Sequence, residues 1–268
     1  MNSPPVRPIR RLLLGAIGVG GVLCLWALAA SQMDAYRLPS PLQVAADFVP
    51  IIVQSREIAA QEAHGNGGIA IPMATSVITL LLGLILGVVS GLAVGLLMTY
   101  SRRIGWILDL PTRLLRAVPP FGLIPFVLIW IGTTQVGGVL VIWLYVSLLV
   151  MTNTINACGN LPMAQSQFAR TLGAAKTQVY KDVILPAILP ELVGPIRVAL
   201  AFSWGLLVVA ELVGGQVGLG RVLSELVPAL ATDQVITVTL WIVLLGLVFD
   251  LLYMRLQQRL LYWHHAAR

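Results

Sequence analysis

The alternation of long apolar runs with short charged segments decides what this chain can fold into. "LLLGAIGVGGVLCLWALAA" over Leu12–Ala30 and "ITLLLGLILGVVSGLAVGLLMT" over 78–99 hold no charge at all. Runs of about 20 apolar residues are what a helix needs to cross a ~30 Å hydrocarbon core. With 58% hydrophobic and 10% charged residues, a soluble domain could not hide so much apolar surface. Lipid leaves backbone groups no water to bond, so only helices and closed barrels span it, and these runs are too long for ~10-residue barrel strands. The fold class is all-α: a polytopic helical membrane protein with about six transmembrane helices.

The spans fall in order along the sequence. The first, Leu12–Ala30, follows the basic "RPIRR" as a signal peptide would, but it is long and no A-x-A site followed by polar sequence ends it, so it reads as a retained anchor. Residues 31–71 form a polar connection with Asp34, Asp47, Glu57, Glu62 and the glycine-rich "HGNGG"; Pro39, Pro41 and the spacing of Val44, Phe48 and Ile51 predict a short amphipathic helix within it. Span two covers about 72–99 and places Gly83, Gly87, Gly91 and Gly95 four apart, either for close approach of a helix in this subunit or a partner, or as a permissive stripe facing lipid. "FGLIPFVLIWIG" alone is too short to cross, so span three is expected to start near Asp109 or at Pro111, with a kink at Pro119–Pro120. Spans four, five and six are placed at about 138–157, 191–213 and 236–258.

Orientation follows from the basic residues. With the N-terminus inside, the inner face collects Arg7, Arg10, Arg11, Arg102, Arg103, Arg170, Lys176, Lys181, Arg255, Arg259 and Arg268, against Arg37, Arg56 and Arg221 outside. The net charge of +6 is therefore a topological bias, and nucleic-acid binding is not needed to explain it. Cys24 and Cys158 sit in separate apolar contexts and read as packing or lipid-facing residues. His64 falls outside, the tail residues His264 and His265 read as solvated rather than as ligands, and no Ser/His/Asp arrangement offers hydrolytic chemistry.

"RTLGAAKTQVYKDVILPAILP", residues 170–190, is a charged interruption near the middle of this apolar chain and holds both lysines, Lys176 and Lys181. Periodicity puts Leu172, Ala175, Val179 and Val183 on one face; Gly173 breaks the helix near its start and Pro186 ends it. The segment reads as two short helices around a glycine turn, either lying on headgroups or serving a cytoplasmic partner. "GAAKT" is not a phosphate loop, because Ala175 and Arg170 stand where that loop requires glycine.

Gly173, nine residues, Val183, one residue and Leu185–Pro186 resemble the "EAA---G---------I-LP" loop of permease subunits of ATP-binding-cassette importers. At its start Gln167, Phe168 and Ala169 stand in place of E-A-A. "RAVPPFGLIPFVLIWIG", "FSWGLLVVAEL" and "LPSPLQVAADF" resemble stretches of the nitrate, sulfonate, taurine and bicarbonate group, with Ala117 where the group usually has proline. The likeness runs from Leu38 to Trp263 and is greatest to taurine and aliphatic-sulfonate permeases.

The resemblance implies a type I importer permease fold. Residues 1–71 would be an anchor helix and periplasmic connection, and 72–268 the transmembrane core with cytoplasmic coupling helices at about 160–186. It implies coupling to a separate ATPase through Gln167, Ala169, Gly173, Ala174, Lys176, Val183, Leu185 and Pro186, with Leu185–Pro186 stopping the helix and setting its angle to span five. It also implies a second permease copy, two ATPase subunits that bind the ATP and magnesium, a periplasmic or lipid-anchored binding protein, no cofactor in this chain, and a bacterial plasma membrane with both termini cytoplasmic. The solute would be a small anion of sulfonate, nitrate or bicarbonate type.

Ionisable groups in spans are costly and need a reason. Asp109 and Arg113 are spaced for a helical pair. Arg116 either snorkels or, like Arg197, faces the path of an anion; Pro120, Phe121, Trp204 and Glu211 complete the candidate path or gate. Glu211 is either interfacial or a holder of the "GGQVGLG" loop through its backbone amides, and Asp250 has an arginine partner that sequence does not choose. The alternative function is a self-contained secondary transporter or channel; such proteins often show inverted repeats, and no matching halves stand out here.

Overall fold

Helices account for every regular element among the described residues, which in this computed structural model are 8–34, 36–55 and 67–261. Arg7, Arg56, Glu57, Glu62, His64, His264, His265 and Arg268 lie outside them. The order is α1 (Pro8–Ser31), α2 (Pro41–Asp47), a 3-10 turn (Pro50–Ile52), α3 (Ala70–Tyr100), α4 (Arg102–Ala117), α5 (Pro120–Ile131), α6 (Gln135–Asn160), α7 (Met163–Thr171), α8 (Lys176–Gly214), α9 (Leu219–Leu226) and α10 (Thr232–Leu260). Helices α1, α3, α6, α8 and α10 are each long and apolar enough to cross a membrane, and α4 with α5 makes a sixth, bent span.

That bent span differs from expectation. The helix starts at Arg102 rather than near Asp109, because Ser101 caps it, its hydroxyl accepting from the Ile104 amide at 3.5 Å. At Pro119–Pro120 the chain does not kink; it turns a corner of 98°. A residue before proline is pushed out of the helical region, and here two in succession precede one. Val118 and Pro119 are both extended, with ψ of 124° and 129°.

Contacts divide the chain into two units, residues 1–70 with 223–241 and residues 71–222 with 242–268. In the first, the predicted amphipathic segment forms α2, started by a capping box in which the Ser40 amide donates to Gln43 Oε1 at 2.8 Å and the Gln43 amide donates to the Ser40 hydroxyl at 3.3 Å. Pro50 then converts the helix to a 3-10 turn, so Val44 and Ile51 are both buried to 2% exposure without sharing one helix. The Phe48 ring stacks on Trp241 at 4.6 Å, and the Trp241 indole donates to the Phe48 carbonyl at 2.8 Å. Ser55 donates to Gln234 at 2.8 Å, and Trp26 to the Pro39 carbonyl at 3.0 Å.

In the second unit the glycine stripe of α3 meets a helix of the same subunit. A β-carbon added at Gly83 would lie 2.6 Å from Ile142 Cβ, one at Gly87 2.6 Å from Val146 Cβ, and one at Gly95 2.7 Å from Thr154 Cβ. Two rows spaced by four residues therefore interlock, and the missing side chains are what let the axes come together. Helix α8 packs along α6, burying Val141, Leu206 and Ala210 with Ile124 of α5, and Ile188 and Leu192 with Ala157.

Helix α8 overturns the expected stop at Leu185–Pro186. It runs without interruption from Lys176 to Gly214. Pro186 lacks the amide that an α-helix would use there. The turn ahead of it, Val179–Ile184, widens to π geometry, with the Leu185 amide reaching back to the Tyr180 carbonyl. The missing bond is absorbed by the wider turn and the helix continues. Because Gly173 ends the preceding helix, Leu172 and Val179 do not share a face: Leu172 is 73% exposed and Val179 1%.

Candidate functional site

The projection between α6 and α8 is a short helix closed by a glycine turn. Helix α7 closes in a Schellman motif: the Gly173 amide donates to the Arg170 carbonyl at 2.9 Å and the Ala174 amide to the Ala169 carbonyl at 3.1 Å. Gly173 takes φ of +88°, a conformation that costs other residues ~1–2 kcal/mol. Ala175 then starts α8, its amide bonded to Gln178 Oε1 at 2.8 Å. Lys176 reaches across to the end of α3, donating to the Tyr100 carbonyl at 2.5 Å with its ammonium 4.2 Å from that ring's centre. Tyr180 meets the same ring edge-on at 5.0 Å.

The candidate coupling residues therefore fall on successive pieces: Gln167 and Ala169 on α7, Gly173 and Ala174 in the turn, and Lys176, Val183, Leu185 and Pro186 on α8. Gln167, Gly173, Lys176 and Pro186 are exposed, while Ala169, Ala174, Val183 and Leu185 are half-buried. Phe168 and Leu172 stand out at 67% and 73% exposure. Sequence reasoning missed the two tyrosines that tie the turn down, because nothing local marks an aromatic pair separated by so much chain.

Glu211 is buried, at 6% exposure, which removes the interfacial reading. The Gly220 amide donates to Oε2 at 3.0 Å, so the expected bond to the glycine-rich loop is present. The second partner came from elsewhere: the Ser76 hydroxyl of α3 lies 2.8 and 2.9 Å from the two carboxylate oxygens and itself accepts from the Leu219 amide at 2.9 Å. One carboxylate and one hydroxyl thus satisfy two amides at the start of α9, a helix terminus whose amides have no partners of their own. Ser76 sits in "MATSVITL", where a lone hydroxyl carries no periodic signal.

The remaining candidates separate into two places. Arg197 pairs with Asp250 through two bonds of 2.6 and 2.7 Å, which names the partner that sequence left open. Trp204 is beside that pair's cavity, its indole donating to the Ile242 carbonyl at 2.9 Å and its ring 5.7 Å from Phe249. Arg116 and Pro120 instead line a cavity of about 310 Å³ with Tyr145, Thr152, Asn153 and Asn156. Phe121 is not among its lining residues; its ring is 5.4 Å from Phe202, whose ring is 4.7 Å from Tyr145. Asp109 and Arg113 form the expected pair at 2.9 Å. The amides Asn153 and Asn156 were legible in "TNTINACGN" as polar groups three apart inside a span, yet they were not singled out. No three of His, Cys, Asp and Glu converge as metal ligands among the described residues.

The Arg197–Asp250 pair carries a prediction. Asp250→Asn leaves a guanidinium without its counter-charge and should lower the melting temperature of the purified protein. The double variant Arg197→Gln/Asp250→Asn should recover part of that loss, since a lone charge on a membrane span is costlier than none. A thermal melt of the three variants reads this, and additive losses would contradict it.

The model of the family described as "binding-protein-dependent transport system inner membrane component" matches residues 83–262. The chain belongs to that family. This permease is 30% identical over 260 residues to the taurine transport system permease protein TauC of Escherichia coli (strain K12), covering 96% of this chain and 92% of that protein. It is 29% identical over 260 residues to the putative aliphatic sulfonates transport permease protein SsuC of Bacillus subtilis (strain 168), covering 96% and 88%. Its fold matches an inward-facing structure of the MetNI methionine ABC transporter with a TM-score of 0.61 at 20% identity, over 70% of this chain and 94% of that one. The fold is that of a type I importer permease, and the chain is the membrane subunit of an ATP-binding-cassette importer. The likeness to the nitrate, sulfonate, taurine and bicarbonate group stands, and five or six spans make it a multi-pass membrane protein.

Proposed function

We propose that this permease forms the translocation path for a small sulfonate and receives the ATPase stroke on residues 163–186. The observation that carries the coupling reading is the projection between α6 and α8: the bared side chains of Phe168 and Leu172 stand before a turn that Lys176 and Tyr180 of α8 fasten to Tyr100 at the end of α3. Apolar groups on a short helix suit a groove in a partner, and a fastened turn passes a push on instead of absorbing it. The basic residues Arg102, Arg103, Arg170, Lys176, Lys181, Arg255 and Arg259 support a cytoplasmic position for that face and for both termini. Two copies of the permease with two ATPase subunits and a periplasmic binding protein make the working importer; ATP and magnesium reside on the ATPase, and this chain is not itself an enzyme. Sulfonate is favoured over nitrate or bicarbonate because the relatives at 30% and 29% identity over 260 residues are named for taurine and aliphatic sulfonates.

The test is uptake of taurine, ethanesulfonate, nitrate and bicarbonate by cells expressing the permease with its ATPase and binding protein. Gly173→Pro is expected to stop uptake while the protein stays in the membrane. Proline cannot adopt φ of +88° and has no amide for the Arg170 carbonyl, so the turn must be rebuilt. Substrate-stimulated ATP hydrolysis at the wild-type rate in the assembled Gly173→Pro complex would sink the coupling assignment.

A further inference from the structure

The cavity at the bend of the broken span has the donors of an anion site and nothing to repel an anion. The 98° corner between α4 and α5 leaves room beside α6, and Arg116, Val118 and Pro120 form its wall on the bent side. From α6 come Tyr145, Thr152 and Asn156, at spacings of seven and four, so one helix face supplies them. No carboxylate lines the space. The acid nearest in sequence to Arg116, Asp109, is occupied by Arg113 at 2.9 Å, and Arg197 is neutralised by Asp250, whereas Arg116 has no ion-pair or hydrogen-bond partner among the described residues. The Tyr145 hydroxyl and the Asn156 amide likewise have no hydrogen-bond partner there. A guanidinium fork, a phenol and an amide can all donate, which matches an oxyanion of several equivalent oxygens.

We propose that this cavity is an oxyanion-binding station, with Arg116 as counter-charge and Tyr145 and Asn156 as neutral donors to the sulfonate group of the passing solute. The identity of the solute rests on the function proposed above; the anion preference of the cavity does not. Asn156 lies on the last turns of α6, next to the coupling projection, so this is the station from which a solute leaves toward the ATPase side.

The experiment uses the whole complex in lipid nanodiscs, with Cys24→Ala and Cys158→Ala as background. Leu149→Cys, a lining residue that donates nothing, reports on the cavity. Relative to their rates with a free thiol in solution, an anionic methanethiosulfonate should modify it about tenfold faster than a cationic one, the discrimination that one nearby charge gives in a screened site. Arg116→Gln should bring that ratio to near one, Arg116→Lys should keep most of it, and ethanesulfonate should slow the reaction. A ratio that Arg116→Gln leaves unchanged overturns the proposal. Uptake of ethanesulfonate by the parent complex is scored separately. Uptake with a charge-insensitive cavity refutes the station and keeps the transport reading. No uptake of any sulfonate, with a charge-sensitive cavity, retires sulfonate as the solute and keeps the anion site.

Discussion

Glu211→Ala is expected to lose at least tenfold in uptake while the complex with the ATPase still forms. The variant strips the acceptor from the Ser76 hydroxyl and the Gly220 amide, both buried around it. Each stranded buried group costs about 1–3 kcal/mol, enough to release the start of α9 from α3 and α8. Residues 163–186 are untouched, so ATPase binding should survive. Glu211→Gln keeps an oxygen for Gly220 and is expected to retain part of the activity. Gly220→Ala should match Glu211→Ala from the other side, because its β-carbon would run into the Val208 carbonyl and the side chain of Glu211, and backbone cannot swing away. Wild-type uptake by Glu211→Ala would mean that the carboxylate holds nothing of consequence for transport.

Gly91→Leu should have the larger effect on folding. A β-carbon there would already lie 2.5 Å from the Ser147 carbonyl oxygen and 3.0 Å from the Met151 amide nitrogen. Both are backbone atoms of α6, so relief requires the two helices to separate. Overpacking by single methyl groups costs ~1–3 kcal/mol, and a leucine adds several carbons at the tightest point. The expected result is little folded protein in detergent and early melting, with Gly87→Leu nearly as damaging through Val146. Val89→Leu, at a residue that is itself 62% exposed, is the control and should melt like the parent. Parental stability of Gly91→Leu would show that α3 and α6 do not approach as closely as described.

The parts of the fold that sequence disclosed are those written in local pattern. Apolar length located the spans, and the four-residue spacing of glycines announced a close helix contact, although only packing could show that Ile142 and Val146 of the same subunit fill it. Gly173 was legible because a left-handed turn has few other solutions. Proline was misread twice in opposite directions. Pro119–Pro120 bends the chain far more than a kink, since two successive residues precede proline. Pro186 stops nothing, since a π turn supplies what it withholds. Whether a proline breaks a helix depends on the geometry of the turn before it, and sequence does not print that geometry. The site was legible where a residue had one plausible partner nearby, as for Asp109 with Arg113 and Glu211 with its loop. It was illegible where partners come from distant helices, as for Ser76, Tyr100 and the lining of the Arg116 cavity.

The unbroken run from Lys176 to Gly214 spans 39 residues, roughly 58 Å of helix at 1.5 Å per residue. A rod of that length converts angle into travel. A tilt of about 5° about one end sweeps the other by about 5 Å, more than the reach of a hydrogen bond. The end that bears Lys176 is fastened to Tyr100, and the far end carries Glu211 and its bonds to the loop beyond. Under the coupling proposed above, a stroke delivered at one end would arrive at the other as displacement of the whole helix. The wide turn at Val179–Ile184 keeps that rod in one piece; a hinge there would let the driven end move while Glu211 stood still.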